Sequence, residues 1–332
     1  NPGCAAVPAL APWGSMQSVS TGFKIPRSWN WSMSLQRELP WWGLFGEIAY
    51  VGSDGSNLMR RPDINLPSFA DREANAAGPK YNTHYLRPYK GYSDIQMGLS
   101  DAGSSYHAAQ VFLSKRRGDL TFTLNYTLGR SYDNGSGNFD NPADGPEDID
   151  YYWGPSDFYR THIFVGTWAY RLPFLKDNRG FLGQVLGGWE ISGITRYQTG
   201  APLTVTGPTS IGGRRADYNG GDPYAAELIN PTTGAVQWLN RSAFAPAPEG
   251  RRGNSERGQF TGPSYHVWDI SLRKQFGIGD DVKVQIQADF FNVWNEVNWA
   301  NPNTDLNSAN FGLITAVTGQ PRNIQLGARV IF

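Results

Sequence analysis

From Val282 to Phe290 the chain alternates without a break. Val282, Val284, Ile286, Ala288 and Phe290 fall on one face, and Lys283, Gln285, Gln287 and Asp289 on the other. Period two marks a strand with one apolar and one polar face. Leu120, Phe122, Leu124, Tyr126 and Leu128 oppose Thr121, Thr123, Asn125 and Thr127 in the same way. So do Trp268, Ile270 and Leu272 against Asp269, Ser271 and Arg273, and Trp29, Trp31, Met33 and Leu35 against Asn30, Ser32, Ser34 and Gln36. The chain closes on the pattern too, with Ile324, Leu326, Ala328, Val330 and Phe332 against Gln325, Gly327 and Arg329. The pattern predicts nine strands, over 27–38, 44–53, 104–115, 119–131, 160–170, 188–206, 264–275, 282–293 and 320–332. The clearest segments exceed the usual 5–6 residues of a soluble strand and match the roughly 9–11 tilted residues that cross a bilayer.

Between these strands the connections alternate in length. Those at 39–43, 116–118, 171–187 and 276–281 are short or medium; those at 54–103, 132–159, 207–263 and 294–319 are long. Short turns at one rim and long loops at the other are the habit of outer-membrane barrels, and a soluble sandwich has no reason for it. The expected fold is therefore all-β: a transmembrane antiparallel β-barrel with its C-terminus at the periplasmic rim and the long loops outside. Such a chain enters and leaves on one side, so its strand count is even. Nine strands imply at least one more before residue 27, and the chain reads as the C-terminal part of a larger barrel. Residues 1–26 are expected to be a preceding strand or loop remnant, and 27–332 the barrel strands with their loops.

Composition sharpens this. Formal net charge is zero, which argues against nucleic acid as a partner. No run of 18 apolar residues exists to form a transmembrane helix. Mean hydropathy is −0.46, a value shared by soluble proteins and by barrels with polar interiors. Aromatic residues make up 14% of the chain, with 12 Trp. Trp41, Trp42, Tyr151, Tyr152, Trp153, Trp168, Tyr170, Trp294 and Trp299 lie near predicted strand ends, as interfacial girdles would. Cys4 has no internal disulfide partner. With no initial Met and no signal segment, the sequence implies a removed leader or a fragment.

Reaction chemistry is sparse. His84, His107, His162 and His266 lack metal-site spacing, and no nucleophile-elbow, phosphate-loop or dinucleotide motif occurs. The loop 133–150 offers Asp133, Asn138, Asp140, Asp144, Asp148 and Asp150 as oxygen ligands for Ca²⁺, in no EF-hand spacing, and reads better as a solvated loop. The glycosylation-type triplets at Asn30, Asn125 and Asn240 are chance matches. Arg116, Arg117, Arg171 and Lys274 sit at predicted periplasmic ends. No cofactor, metal or catalytic residue is expected. The external loops, rich in Gly, Asn, Asp and Pro, are expected to build turns rather than cores. Two alternatives stand beside the transporter reading: a secreted all-β carbohydrate-binding or carbohydrate-active protein stacking sugar on Trp153 and Trp238, and a small self-contained porin.

Several segments resemble the barrel of TonB-dependent outer-membrane receptors of the Oar-like type, whose full-length members carry an N-terminal carboxypeptidase-regulatory-like domain. They are Trp29-Asn30-Trp31-Ser32 with Leu35-Gln36-Arg37-Glu38-Leu39-Pro40, then Tyr50-Val51-Gly52-Ser53 and Gly188-Trp189-Glu190-Ile191-Ser192-Gly193. Phe290-Phe291-Asn292-Val293-Trp294-Asn295, Asn301-Pro302-Asn303, Asn310-Phe311-Gly312 and the terminal strand complete the set. The resemblance implies the C-terminal portion of a 22-stranded barrel around an N-terminal plug. It also implies uptake of a scarce small molecule (a metal chelate, cobalamin or a saccharide), with energy from TonB through a plug absent from this chain. Lys283, Gln285, Gln287 and Asp289 would then line the lumen. Outer-membrane lipid would cover the apolar face. Ile324, Leu326, Ala328, Val330 and Phe332 would be read by the barrel-assembly machinery.

Overall fold

The structure, a computed structural model, describes residues 14–40, 42–78, 80–137, 149–174, 180–207, 214–226, 228–230, 232, 234–278 and 282–332. Nine long strands form one sheet: β1 (Arg27–Leu39), β2 (Leu44–Arg60), β3 (Ile95–Lys115), β4 (Leu120–Asp133), β5 (His162–Arg171), β6 (Trp189–Gln198), β7 (Tyr265–Ile278), β8 (Val282–Phe291) and β9 (Asn323–Ile331). Each pairs antiparallel with its neighbour in sequence, so the sheet is an uninterrupted meander with edges at β1 and β9. Short connections gather at the end where Phe332 lies, and the long ones at the opposite end. No helix among the described residues is long and apolar enough to cross a membrane, which leaves crossing by strands untouched.

Because opposed residues share a face, the register carries the apolar stripe across the whole sheet. Leu35 opposes Ile48, which opposes Val111, which opposes Tyr126 and then Phe164. On the other side Leu272 opposes Ala288, which opposes Leu326. These side chains are not buried by any second layer: Met33 is 79% and Leu326 82% exposed. Each such side chain contributes about 1.5–3 kcal/mol once removed from water. A sheet-wide apolar face of this kind needs an apolar solvent. Two tyrosine hydroxyls on this face are paired with histidines. The Tyr50 hydroxyl meets His107 Nδ1 at 2.7 Å, and the Tyr126 hydroxyl meets His162 Nδ1 at 2.8 Å.

Two tryptophans on this face lie flat over glycines of the next strand. Trp31 opposes Gly52 and Trp168 opposes Gly193. A Cβ at Gly193 would stand 2.8 Å from Trp168 Cζ2 and 2.9 Å from the Asp269 carbonyl oxygen, which is backbone and cannot swing away. Gly193→Ala is therefore expected to destabilise the folded barrel by about 1–3 kcal/mol, the usual range for overpacking. A lowered urea midpoint in lipid vesicles would report it, and an unchanged midpoint would refute the stacking.

Some boundaries differ from the sequence expectation. The loop expected over 54–103 is shorter, because β2 runs to Arg60 and β3 starts at Ile95. The Gly-Ser-Asp-Gly-Ser run at 52–56 resembles a turn, yet it stays paired, and the register shifts between Gly55 and Leu58 absorb the irregularity. The strand expected over 188–206 stops at Gln198, and Pro202–Leu203 turns away to pair with Phe260–Thr261. In the region 1–26, residues 1–13 lie outside the described residues, and Met16–Val19 pairs in parallel with Ile95–Gly98 rather than with β1.

The one hydrophobic core lies off the sheet, among the described residues of the long connections. Leu203, Val205, Ala216, Leu239, Ala243, Phe244, Phe260, Leu306 and Phe311 are buried together. Two-residue bridges bring them in: Thr206–Gly207 with Arg214–Arg215, Asp217–Tyr218 with Phe244–Ala245, and Val236–Gln237 with Leu313–Ile314. The connections after β6 and β8 thus fold into a lobe, contrary to the expectation that loops of this composition build turns only. Single apolar residues spaced by turns leave no periodicity to read, yet the bridges converge them.

Candidate functional site: the polar face and the loop mouth

On the polar face, β5, β6 and β7 place Arg171, Glu190 and Arg273 side by side near the Phe332 end. Glu190 accepts from Arg273 Nη2 and lies 3.4 Å from Arg171 Nε. Next along, β8 carries a hydrogen-bonded row. Gln285 Nε2 donates to Gln287 Oε1 at 3.2 Å, and Gln287 Nε2 donates to both oxygens of Asp289 at 2.8 and 3.0 Å. Three of the four expected lumen residues therefore act as one ladder, while Lys283 is exposed at the strand's start.

Where the polar face meets the loops there is an open cleft of about 470 Å³, lined by Arg196, Tyr265, Asp269, Asn292, Arg322 and Gln325 among others. Asn292 shapes it. The residue is buried with φ +48°, a left-handed conformation that Asn tolerates better than most residues. Its Nδ2 donates to the Glu296 and Gln320 carbonyls, both at 2.9 Å, and its Oδ1 accepts from the Glu296 N–H. Its own N–H donates to Asp269 Oδ1 at 2.9 Å. One side chain thus ties the end of β8 to both ends of the following loop.

Above the cleft, side chains far apart in sequence lock the loops together. Arg257 Nη1 donates to Asp133 Oδ1 at 2.6 Å and to the Asp133 carbonyl at 2.7 Å, and Nη2 donates to Ser136 Oγ at 2.7 Å. A second lock alternates cations and rings. Arg72 and Arg252 lie 5.0 and 5.3 Å from the Phe69 ring centre, and Arg252 and Arg215 lie 4.6 and 3.6 Å from that of Tyr151. This ladder joins helix α1 (Phe69–Ala77), which shares the loop after β2 with the one-turn helix α2 (Thr83–Leu86), to the loops after β4 and β6. At the foot of the loop after β2, Asp63 Oδ1 accepts from the Asn65 and Ile95 N–H groups, while Arg87 donates to the Ser93 carbonyl at 2.6 Å and to Asp94 Oδ1 at 2.9 Å.

In the lobe, Arg251 Nη1 donates to Asp217 Oδ1 at 2.8 Å. That guanidinium lowers the Asp217 pKa from the ordinary carboxylate range; burial opposes the shift, and the Asn254 N–H adds to it. A depressed folded pKa gives stabilisation present above the ordinary value and lost as pH falls below it. Hydrogen-exchange protection of the Tyr218 and Ser255 amides is accordingly expected to drop in that acid range. Asp217→Asn should flatten the dependence, and an equal drop in the variant would refute this role.

Several expected roles change. Asp133, a candidate Ca²⁺ ligand, is engaged by Arg257 and Ser136, and 138–148 lie outside the described residues. Among the described residues no group of three or more His, Cys, Asp or Glu could hold a metal ion. Tyr151 belongs to the cation–ring ladder and Trp238 to the lobe, where it packs on the core and donates to the Thr261 carbonyl at 2.9 Å. Trp168 and Tyr170 do lie on the apolar face, opposite Phe122 and Leu120, while Trp41 is outside the described residues. Of the terminal residues, Ile324, Leu326, Ala328 and Val330 oppose Phe290, Ala288, Ile286 and Val284, and Phe332 lies beyond the end of β9.

An apolar face, a polar face, short turns at one end and packed loops at the other make a membrane barrel wall with a mouth. The model of the outer membrane beta barrel domain family matches residues 2–325. The chain belongs to that family. Its place is the cell outer membrane. No curated protein matches it. Among solved structures this outer-membrane barrel is similar to the outer membrane transporter YddB from Escherichia coli, at 10% identity and TM-score 0.50, over 93% of this chain and 33% of that one. It is also similar to the FrpB iron transporter from Neisseria meningitidis, at 14% identity and TM-score 0.44, over 95% and 32% of the two chains. The barrel chain thus spans about a third of the length of the solved structures it matches.

Proposed function

We propose that this chain is the C-terminal barrel segment of a TonB-dependent outer-membrane transporter that takes up a scarce nutrient: a metal chelate, cobalamin or a saccharide. The observation that carries the reading is the two-faced meander under a packed mouth. Lys283, Gln285, Gln287 and Asp289 line the lumen, the cleft around Asn292 opens into it, and the loops after β2, β4, β6 and β8 form the external rim. Lipid covers the opposite face, and Ile324 to Phe332 serve the barrel-assembly machinery. The free edges of β1 and β9 pair with strands outside these 332 residues, since lipid tolerates no open sheet edge. The likeness to transporters of about three times the length supports this. TonB acts through a plug that these residues do not include.

The test is uptake by cells producing the full-length protein, offered ferric chelates, cobalamin and maltooligosaccharides with and without an uncoupler. Uptake of one class that needs both the protein and the proton gradient is expected. Passive, size-limited entry indifferent to the uncoupler would instead make it a porin.

A further inference from the structure

Charged residues on the apolar face such as Arg37 and Arg130 are exposed, but Lys274 is buried. Lys274 on β7 stands between Leu272 and Phe276, and opposes Trp189 on one side and Ile286 on the other. A lysine facing lipid is destabilising, most at the midplane and less toward the rim. Yet Lys274 is only 2% exposed. What covers it is helix α3 (Phe181–Leu186), in the connection between β5 and β6 at the Phe332 end. The Lys274 ammonium donates to the carbonyl of Gly187, the C-cap residue of α3, where the helix end carries partial negative charge. It also sits 5.1 and 5.9 Å from the Phe276 and Trp189 ring centres. Trp189, on the same face, donates its indole N–H to the Val185 carbonyl at 3.2 Å.

These contacts fix where α3 lies: over the apolar face of the sheet, not under its polar face. The helix's own outer surface is apolar. Phe181 is 78%, Leu182 60%, Leu186 52% and Val185 41% exposed. Phe174, just before it, and Trp42, in the turn after β1, are exposed near the same rim. Resting on the reading of the apolar face as lipid-facing, we infer that α3 is an interfacial anchor. It buries Phe181, Leu182, Val185 and Leu186 at the headgroup–acyl boundary of the periplasmic phospholipid leaflet, and shields Lys274 from the hydrocarbon. Continuity with the sheet's apolar face selects lipid as the occupant. A helix lying in the interface buries its apolar side by about 5–10 Å, so α3 would set how deep this side of the barrel sits.

The experiment places single spin labels on the full-length protein, with its other cysteines replaced, in vesicles of phosphatidylethanolamine and phosphatidylglycerol. Labels go at Leu182→Cys, at Leu326→Cys on the apolar face and at Gln285→Cys on the polar face. Heat-modifiable gel mobility confirms folding. Collision with oxygen, which partitions into lipid, is compared with collision by a water-soluble nickel chelate. The expected result is a several-fold higher oxygen-to-nickel ratio at 182 than at 285, approaching that at 326. Nickel access at 182 equal to that at 285, with 326 still protected, would overturn the anchor and leave the barrel reading intact. Nickel access at 326 as well would overturn the lipid-facing assignment itself. Protection of 182 from both agents would show protein, not lipid, over the helix and overturn the inference.

Discussion

Val284→Lys or Leu124→Lys is expected to block assembly of the folded barrel, while Gln285→Lys is tolerated. Val284 sits in an apolar row, opposed by Phe276 and Val330. Leu124 sits opposite Leu113 and Gly166, in the middle of the same face. A lysine there must bring its charge into hydrocarbon, at about 2–4 kcal/mol at the midplane and less at Val284, which lies nearer the rim, and no helix end receives it as at Lys274. Stability margins of folded proteins are about 5–15 kcal/mol, so one such cost during assembly is large. Gln285 lies one residue away on the polar row, opposed by Gln275 and Arg329, where an ammonium keeps its contact with water. The readout is heat-modifiable mobility of the protein recovered from outer membranes. Equal tolerance at 284 and 285 would rule out the membrane-facing assignment, and equal damage at both would indicate a sheet buried on two sides.

Phe244→Ala is expected to unfold the external lobe and leave the strands in place. Phe244 is 7% exposed. Its ring meets those of Phe260, Phe311 and Tyr218 at 5.0, 5.7 and 5.7 Å between centres. Truncating a buried Phe costs about 3–5 kcal/mol. The lobe is small and its strands are two residues long, so little else holds it. Tryptic cleavage after Arg251 or Arg252 should accelerate sharply while heat-modifiable mobility persists. Unchanged cleavage would mean that the cluster does not hold the lobe, and loss of barrel and lobe together would mean that the two fold as one unit. Under the proposed function, the variant would also lose nutrient binding at the mouth.

What the sequence disclosed follows from what leaves a period. All nine long strands could be read, because each has one wet and one apolar face and a period of two is visible in a single chain. Loop parity was readable for the same reason, once the strands were placed. The extension of β2 past Gly52 was not, because Gly, Ser and Asp signal turns wherever they occur, and only the partner strand reveals that they stay paired. The lobe core was hidden more deeply. Val205, Leu239 and Phe311 each stand among turn residues, and nothing local says that they meet. The Arg257–Asp133 lock spans 124 residues and has no spacing signature. Asn292 was visible only as part of a resembling motif; its work, four hydrogen bonds from a left-handed residue, joins segments that only the fold brings together. The connection over 171–187 fitted the loop alternation least well as a turn of medium length, and it is the one that carries α3.

The most direct test of the two-faced barrel wall is thiol labelling along β8. Single cysteines at 282 to 290 in the full-length protein, in isolated outer membranes, would meet a small, water-soluble, membrane-impermeant maleimide. The barrel account predicts alternation: labelling at 283, 285, 287 and 289, and protection at 282, 284, 286, 288 and 290. Uniform labelling, or protection without a period of two, would contradict it.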